Sequence, residues 1–185
     1  SGLRPRATHT GTPCTKMCVI GKREYPDLTR KIVKLACMVG EHQAACGFLH
    51  SNEQPSTSVL MQTPEWKAVY GDVNEDGFLK SPWKLFTLDG CQVGYAYPGE
   101  DDPGRPMRKT ADWVANFDLS PLDIRHHTGP VGALLGCTHT HKIVRGGAKL
   151  PDGHWISVAA YSGKYPSILC TLYARCLARG LAENC

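Results

Sequence analysis

Nine cysteines, at positions 14, 18, 37, 46, 91, 137, 170, 176 and 185, are spread through a chain of 185 residues. An odd number cannot pair completely within one chain, so a fully cross-linked monomer is excluded. Three arrangements remain. The protein is secreted with several bridges and one free thiol, or it is reduced and binds zinc, or its thiols are reduced and pack as small apolar side chains. The chain is long enough to bury a sizeable core without staples. It begins Ser1-Gly2, with no Met and no apolar leader. That start predicts a secreted product or a processed polyprotein fragment rather than an ordinary cytoplasmic protein. No Asn-x-Ser/Thr sequon adds support for secretion.

Charge narrows the partners. The formal net charge is +4, with 42% hydrophobic and 21% charged residues, which fits a folded globular chain and excludes a disordered or collagen-like one. No apolar run approaches the roughly 18 residues of a membrane span. Basic residues cluster at Lys22-Arg23, at Arg30, Lys31 and Lys34, and at Arg105, Arg108 and Lys109. None of these runs is long enough for a nucleic-acid-binding arm, so nucleic acid is permitted but not favoured. A protein or peptide substrate, or a host protein, is the expected partner.

The hydrophobic pattern predicts an α+β fold in a single domain spanning residues 1–185, with a mainly antiparallel sheet, a helix in the N-terminal half and a helix at the C-terminus. Residues 1–26 read as a turn-rich segment. Leu28, Ile32, Leu35, Ala36 and Val39 recur at helical spacing after Asp27, and Gly40 stops the run. Residues 41–50 read as a second short helix and 51–64 as a loop. Lys84–Leu88 and Cys91–Tyr97 flank Asp89-Gly90, a favoured hairpin turn. Residues 98–109 form a flexible polar loop, and Thr110–Phe117 a short helix around Trp113. Sheet is expected from Leu134 onward, including HWISVAAY. Leu169, Leu172, Tyr173, Cys176 and Leu177 make the apolar stripe of the last helix, with Ser167 as its cap.

Three constellations carry chemistry. The first is Cys46 with His154. A thiol nucleophile needs an imidazole within hydrogen-bond reach, and a histidine opening a strand is held rigidly at a cleft. The segment Gly153-His154-Trp155 resembles the histidine strand of papain-like cysteine peptidases, and the order of Cys46 before His154 matches. That resemblance implies a cysteine-dependent hydrolase cutting a peptide or acyl bond, with Cys46 as nucleophile, His154 as general base, and no cofactor required.

The second is Cys137-Thr138-His139-Thr140-His141. On a strand, Cys137, His139 and His141 share one face, and zinc commonly takes such nitrogen and sulfur ligands. His126-His127 can add a third imidazole, and Cys14 with Cys18 two thiolates. Without zinc, His139 and His141 suit acid/base work on a phosphodiester, with Lys142, Arg145 and Lys149 for the phosphate. The tripeptide Thr-His-Thr occurs at 8–10 and 138–140 and resembles half of the paired motif of two-histidine phosphoesterases; its first copy, set in a turn-rich terminus, reads as chance.

The third is Asp72-x-Asn74-x-Asp76-Gly77, which opens like an EF-hand calcium loop. Position twelve is Trp83, where a bidentate Glu is needed, so a surface turn is the better reading.

The residues therefore favour a cysteine hydrolase acting through Cys46 and His154. Two alternatives stay open: a secreted or host-directed, disulfide-stabilised binding protein, and a zinc-binding protein or metallo-hydrolase built on Cys137, His139 and His141.

Overall fold

Strand β2, Leu49–Pro55, has an unusual composition for the middle of a sheet. His50, Ser51, Asn52, Glu53 and Gln54 are all buried, and buried polar groups need hydrogen-bond partners. Their neighbours supply most of them. In the computed structural model, which describes residues 5–12, 25–73, 79–126 and 139–184, β2 lies between β1 (Ala7–Gly11) and β4 (Thr110–Ala115), and β3 (Lys84–Asp89) closes the order β1-β2-β4-β3. The β1–β2 pair is parallel, and β2–β4 and β3–β4 are antiparallel. The fold is thus a single α+β domain with a mixed, largely antiparallel sheet.

Strand β1 is what makes β2 buriable. Thr8 Oγ1 lies 2.8 Å from His50 Nδ1, and His9 Nδ1 lies 2.8 Å from Ser51 Oγ. Asn52 Nδ2 donates to Thr10 Oγ1 at 2.7 Å and to Thr12 Oγ1 at 3.1 Å. The first Thr-His-Thr therefore sits on a strand and satisfies the polar side chains beside it. Its role is structural, and the turn-rich reading of that stretch gives way to β1.

Side chains alternate across a strand, so the sheet has two buried faces. One carries Val114 and packs on Val33 and Cys37 of helix α1 (Asp27–Ala45) and on Trp66 and Tyr70 of helix α2 (Pro64–Tyr70). The other carries Trp113, Ala115, Phe86 and Leu49 and packs on Leu169 and Cys176 of helix α4 (Ser167–Glu183). The expected stripe of this last helix holds, with Leu172, Tyr173 and Leu177 partly buried against the same core. Between them come strands β5 (Gly147–Lys149) and β6 (Trp155–Ser157), which pair antiparallel, and helix α3 (Val158–Tyr161).

Several local expectations are corrected. Helix α1 runs through Gly40 to Ala45. A Cβ at residue 40 would stand 2.5 Å from Tyr70 Oη and 3.0 Å from the His50 ring. The glycine permits close packing there rather than ending the helix. Bringing Gly40 inward turns Leu28 and Leu35 outward, and both are exposed. Residues 49–55, read as the end of a helix and the start of a loop, are β2.

The Asp89-Gly90 hairpin is replaced by one 3₁₀ turn, Gly90–Val93, and the partner of β3 is β4, the segment read as a helix. Asp89 cannot serve as a turn residue because its carboxylate is a buried acceptor: the His126 backbone N–H donates to it at 2.7 Å and Arg108 Nε at 3.2 Å. HWISVAAY is strand only over Trp155–Ser157. Ser157 Oγ then accepts the Ala160 N–H at 3.3 Å and starts helix α3.

None of the described cysteines, Cys37, Cys46, Cys91, Cys170 and Cys176, is joined in a disulfide. The disulfide-stabilised arrangement is corrected for these five. Cys14, Cys18, Cys137 and Cys185 lie outside the described residues, as do His127 and most of the acidic loop at 72–77. Among the described residues no helix is long and apolar enough to cross a membrane.

Candidate metal centre

Three segments meet at the end of β3. The first is the turn carrying Cys91. The second, residues 123–126, is laid against it by backbone and carboxylate contacts. Thr87 N donates to Asp123 Oδ1 at 2.8 Å, Asp89 N to Ile124 O at 2.8 Å, and His126 N to Asp89 Oδ2 at 2.7 Å. The third, residues 139–142, docks on the loop at 105–107. Lys142 N donates to Pro106 O at 2.9 Å, and Arg105 Nη2 to Thr140 Oγ1 at 2.8 Å. That loop returns to the first segment through Met107 N to Tyr95 O at 2.8 Å.

The result is a cluster of Cys91, His126, His139 and His141 in which one ligand atom from each lies within 4.8 Å of all the others. His139 Nε2 and His141 Nε2 are 3.1 Å apart. The ring centroids stand 4.5 Å apart for His126 and His139, 4.4 Å for His126 and His141, and 4.8 Å for His139 and His141. His126 is buried and the other three are half-buried. Gln92 Nε2 lies 3.5 Å from Cys91 Sγ and 3.4 Å from His126 Nδ1.

A tetrahedral zinc with Zn–N near 2.0–2.1 Å and Zn–S near 2.3 Å sets its ligand atoms roughly 3.3–3.6 Å apart. At up to 4.8 Å between ligand atoms, the cluster is within about 1.5 Å of that packing. Its charge state also fits. Burial, then the neighbouring His126 and His139, push the His141 imidazole below its ordinary range, and neutral imidazole is the form that ligates.

Asp89 stands behind the cluster. Burial alone would raise its carboxyl, but donors from Thr110, His126 and Arg108 outweigh that and hold it below the usual range. A carboxylate fixing the backbone beside a ligand histidine orients the ring without touching the ion.

The sequence-derived residues fare unequally. His139 and His141 converge, although neither lies on a strand, and His126 joins them as the third imidazole. Cys137 lies outside the described residues. Cys91 is the member of the cluster that sequence reasoning missed. It sits in a turn with no metal-binding spacing to any histidine, and only the fold brings it in.

Cys46 and His154 do not form a site of the papain kind, and the thiol-protease reading is corrected. Cys46 is the C-cap residue of α1. Its polar neighbour is His42 Nε2 at 3.8 Å. His154 is exposed, with Nδ1 3.2 Å from Asp152 Oδ1 in its own turn. The Cys/His chemistry of the described chain is concentrated instead at the four-residue cluster.

His141 also borders a cavity of about 820 Å³. Glu53 lies in its wall, accepting a hydrogen bond from Tyr165 Oη at 3.1 Å. Burial raises the Glu53 carboxyl, partly offset by the nearby Lys109 and by the Tyr165 hydroxyl.

Comparison with protein-family models, with curated proteins and with solved structures finds no match to this chain.

Proposed function

We propose that the protein binds one zinc ion through Cys91, His126, His139 and His141, and that the ion ties three chain segments together. The observation that carries this reading is the convergence of one sulfur and three imidazoles within 4.8 Å. Zinc suits the donor set: borderline-soft, tolerant of mixed sulfur and nitrogen, and commonly tetrahedral. Calcium and magnesium prefer oxygen ligands, which this set lacks. Four protein ligands fill a tetrahedron, and closed sites of that kind are structural. The bound ion supplies cross-linking here. The residues supply its cage, and Asp89 holds the His126 backbone in place.

One observation favours a second reading, a metallo-hydrolase: His141 faces both the cluster and the cavity. A catalytic zinc keeps one position open, so in that reading three imidazoles suffice and Cys91 is dispensable for binding.

Elemental analysis of protein purified with zinc, then dialysed, separates these outcomes. The closed reading expects one zinc per chain, lost in Cys91→Ala and in His126→Ala and kept in Cys46→Ala. Retention of zinc by Cys91→Ala moves the assignment to the open reading. A wild-type chain that takes up no zinc ends both.

A further inference from the structure

Arg108, Lys109 and Lys142 all line the cavity beside His141, and each faces a carboxylate of the protein itself. Arg108 Nε donates to the buried Asp89 carboxylate at 3.2 Å. Lys142 Nζ turns to Asp101 at 2.9 Å and to Asp102 at 3.6 Å. The Lys109 ammonium donates to the Ser162 carbonyl. Its charge is set against Glu53 in the same wall: burial raises the Glu53 carboxyl, and the nearby Lys109 draws it back down. An ion entering this cavity would give up its water and find the opposite charges already matched. Burying a charge without a partner is costly, and an uncharged molecule avoids that cost.

Glu53 also supplies direction. It is 8% exposed and lies opposite Trp113 on β4. Tyr165 Oη donates to its Oε2 at 3.1 Å. A carboxylate accepts at both oxygens, and among the described residues no donor reaches Oε1. Once an occupant displaces water from the cavity, an acceptor left without a donor costs free energy. An occupant bringing one N–H or O–H is therefore preferred over one bringing none.

The body of the occupant would meet Pro55, Val144, Ala159, Ala160 and the Tyr165 ring, a mostly apolar wall. A volume of about 820 Å³ is in the range of sites that enclose a small organic molecule.

We propose that this cavity binds an uncharged, mainly apolar small molecule that donates a hydrogen bond to Glu53 Oε1. The inference rests on the cavity alone and not on the zinc reading.

Four probes that share one ring system test it, titrated into the full chain and followed by amide NMR, with zinc content measured on every sample. Indole is neutral and carries one N–H, and it is expected to bind. 1-Methylindole keeps the body and loses the donor, and is expected to bind at least about tenfold more weakly. Tryptamine and indole-3-acetate add a positive and a negative charge to the same body, and both are expected to bind more weakly than indole. Ala160→Trp fills the cavity without touching a cluster residue and is expected to abolish indole binding. In Glu53→Gln the amide oxygen can keep Tyr165 and turn the NH2 toward the cavity, so most of the preference for indole over 1-methylindole should disappear. The proposal is overturned by no indole binding, by equal affinity of wild type for indole and 1-methylindole, by tighter binding of either charged probe, or by indole affinity unchanged in Ala160→Trp. A full indole preference persisting in Glu53→Gln would place the acceptor elsewhere and overturn it as well. The wild-type titrations decide the matter even where Glu53→Gln fails to fold. Indole binding by a chain that takes up no zinc leaves the cavity standing and the zinc reading refuted, and a zinc-loaded chain with no indole affinity does the reverse.

Discussion

Two groups of histidines in this molecule solve the same problem in opposite ways. His9 and His50, on the paired strands β1 and β2, are surrounded by hydroxyls and aromatic faces. Thr8 and Tyr70 reach the two nitrogens of His50 at 2.8 and 3.3 Å. His9 meets Ser51 and stacks on Trp113 at 5.2 Å between centroids. His126, His139 and His141 instead have each other as ring neighbours, with a thiol beside them. Imidazoles satisfied by hydroxyls are parts of a core. Imidazoles aimed at one another at ligand spacing become stable together when a cation sits between them. Residue type is identical in the two places, and the partner makes the difference.

The largest test of this contrast removes the cation. With free zinc a thousandfold above its dissociation constant, binding to the native state alone adds about 4 kcal/mol. For a chain of this length that corresponds to a rise in Tm of roughly 10 °C. Thermal unfolding with and without a chelator is expected to show this shift in wild type and none in His139→Ala. An equal chelator effect in that variant would erase the distinction between the two groups.

The next largest is acid, measured on metal-free protein so that proton competition for zinc does not enter; His141, also held low by burial, adds in the same direction. Burial, with a small contribution from His9, holds the His50 imidazole down at about 4. Below the ordinary value of 6.5 the unfolded chain takes up a proton that the folded chain refuses. Stability is therefore intact above about pH 6.5, falls as the pH drops toward 4, and levels off below. The loss is on the order of 3 kcal/mol. Burial lowers His9 in the same direction, but its edge is exposed and its contribution is smaller. Urea unfolding at pH 7, 5.5 and 4 measures the slope, and His50→Gln should flatten it.

A smaller effect is expected from Thr8→Val, which removes the hydroxyl at His50 Nδ1. Leaving that nitrogen unpaired costs about 1–3 kcal/mol. Zinc content should not change. Loss of zinc in this variant would mean that the two groups are coupled, which their separate partners argue against.

What could be read in advance follows the range of the interactions. Helix α4 was legible because its apolar stripe repeats locally, and α1 was legible as a helix for the same reason. Its buried face was not, because the orientation is decided by Gly40 against His50 and Tyr70, contacts made across the fold. Strand β4 was hidden because both of its faces are buried, so Thr110–Ala115 lacks the alternation that marks a strand. His139 and His141 could be paired on paper because a single residue, Thr140, separates them, and His126-His127 stood out as a neighbouring pair. Cys91 lies 35 residues before His126, and its place is set by Asp89, a residue whose turn-like appearance concealed a buried carboxylate. The attractive Cys46 and His154 pairing failed for the complementary reason: each has a local partner, and spacing in sequence says nothing about meeting in space.

The placement of β2 between a strand that precedes it and one that follows it after about sixty residues has a consequence for synthesis. At 5–20 residues per second, a nascent chain waits roughly 3–12 seconds after Pro55 is made before its second neighbour exists. An aliphatic segment held open for that time would invite other chains to pair with it. This one presents imidazole, hydroxyl, amide and carboxylate groups, so water is an adequate companion until Thr110–Ala115 arrives, and the ribosome can release one inner strand long before the other without exposing an adhesive surface.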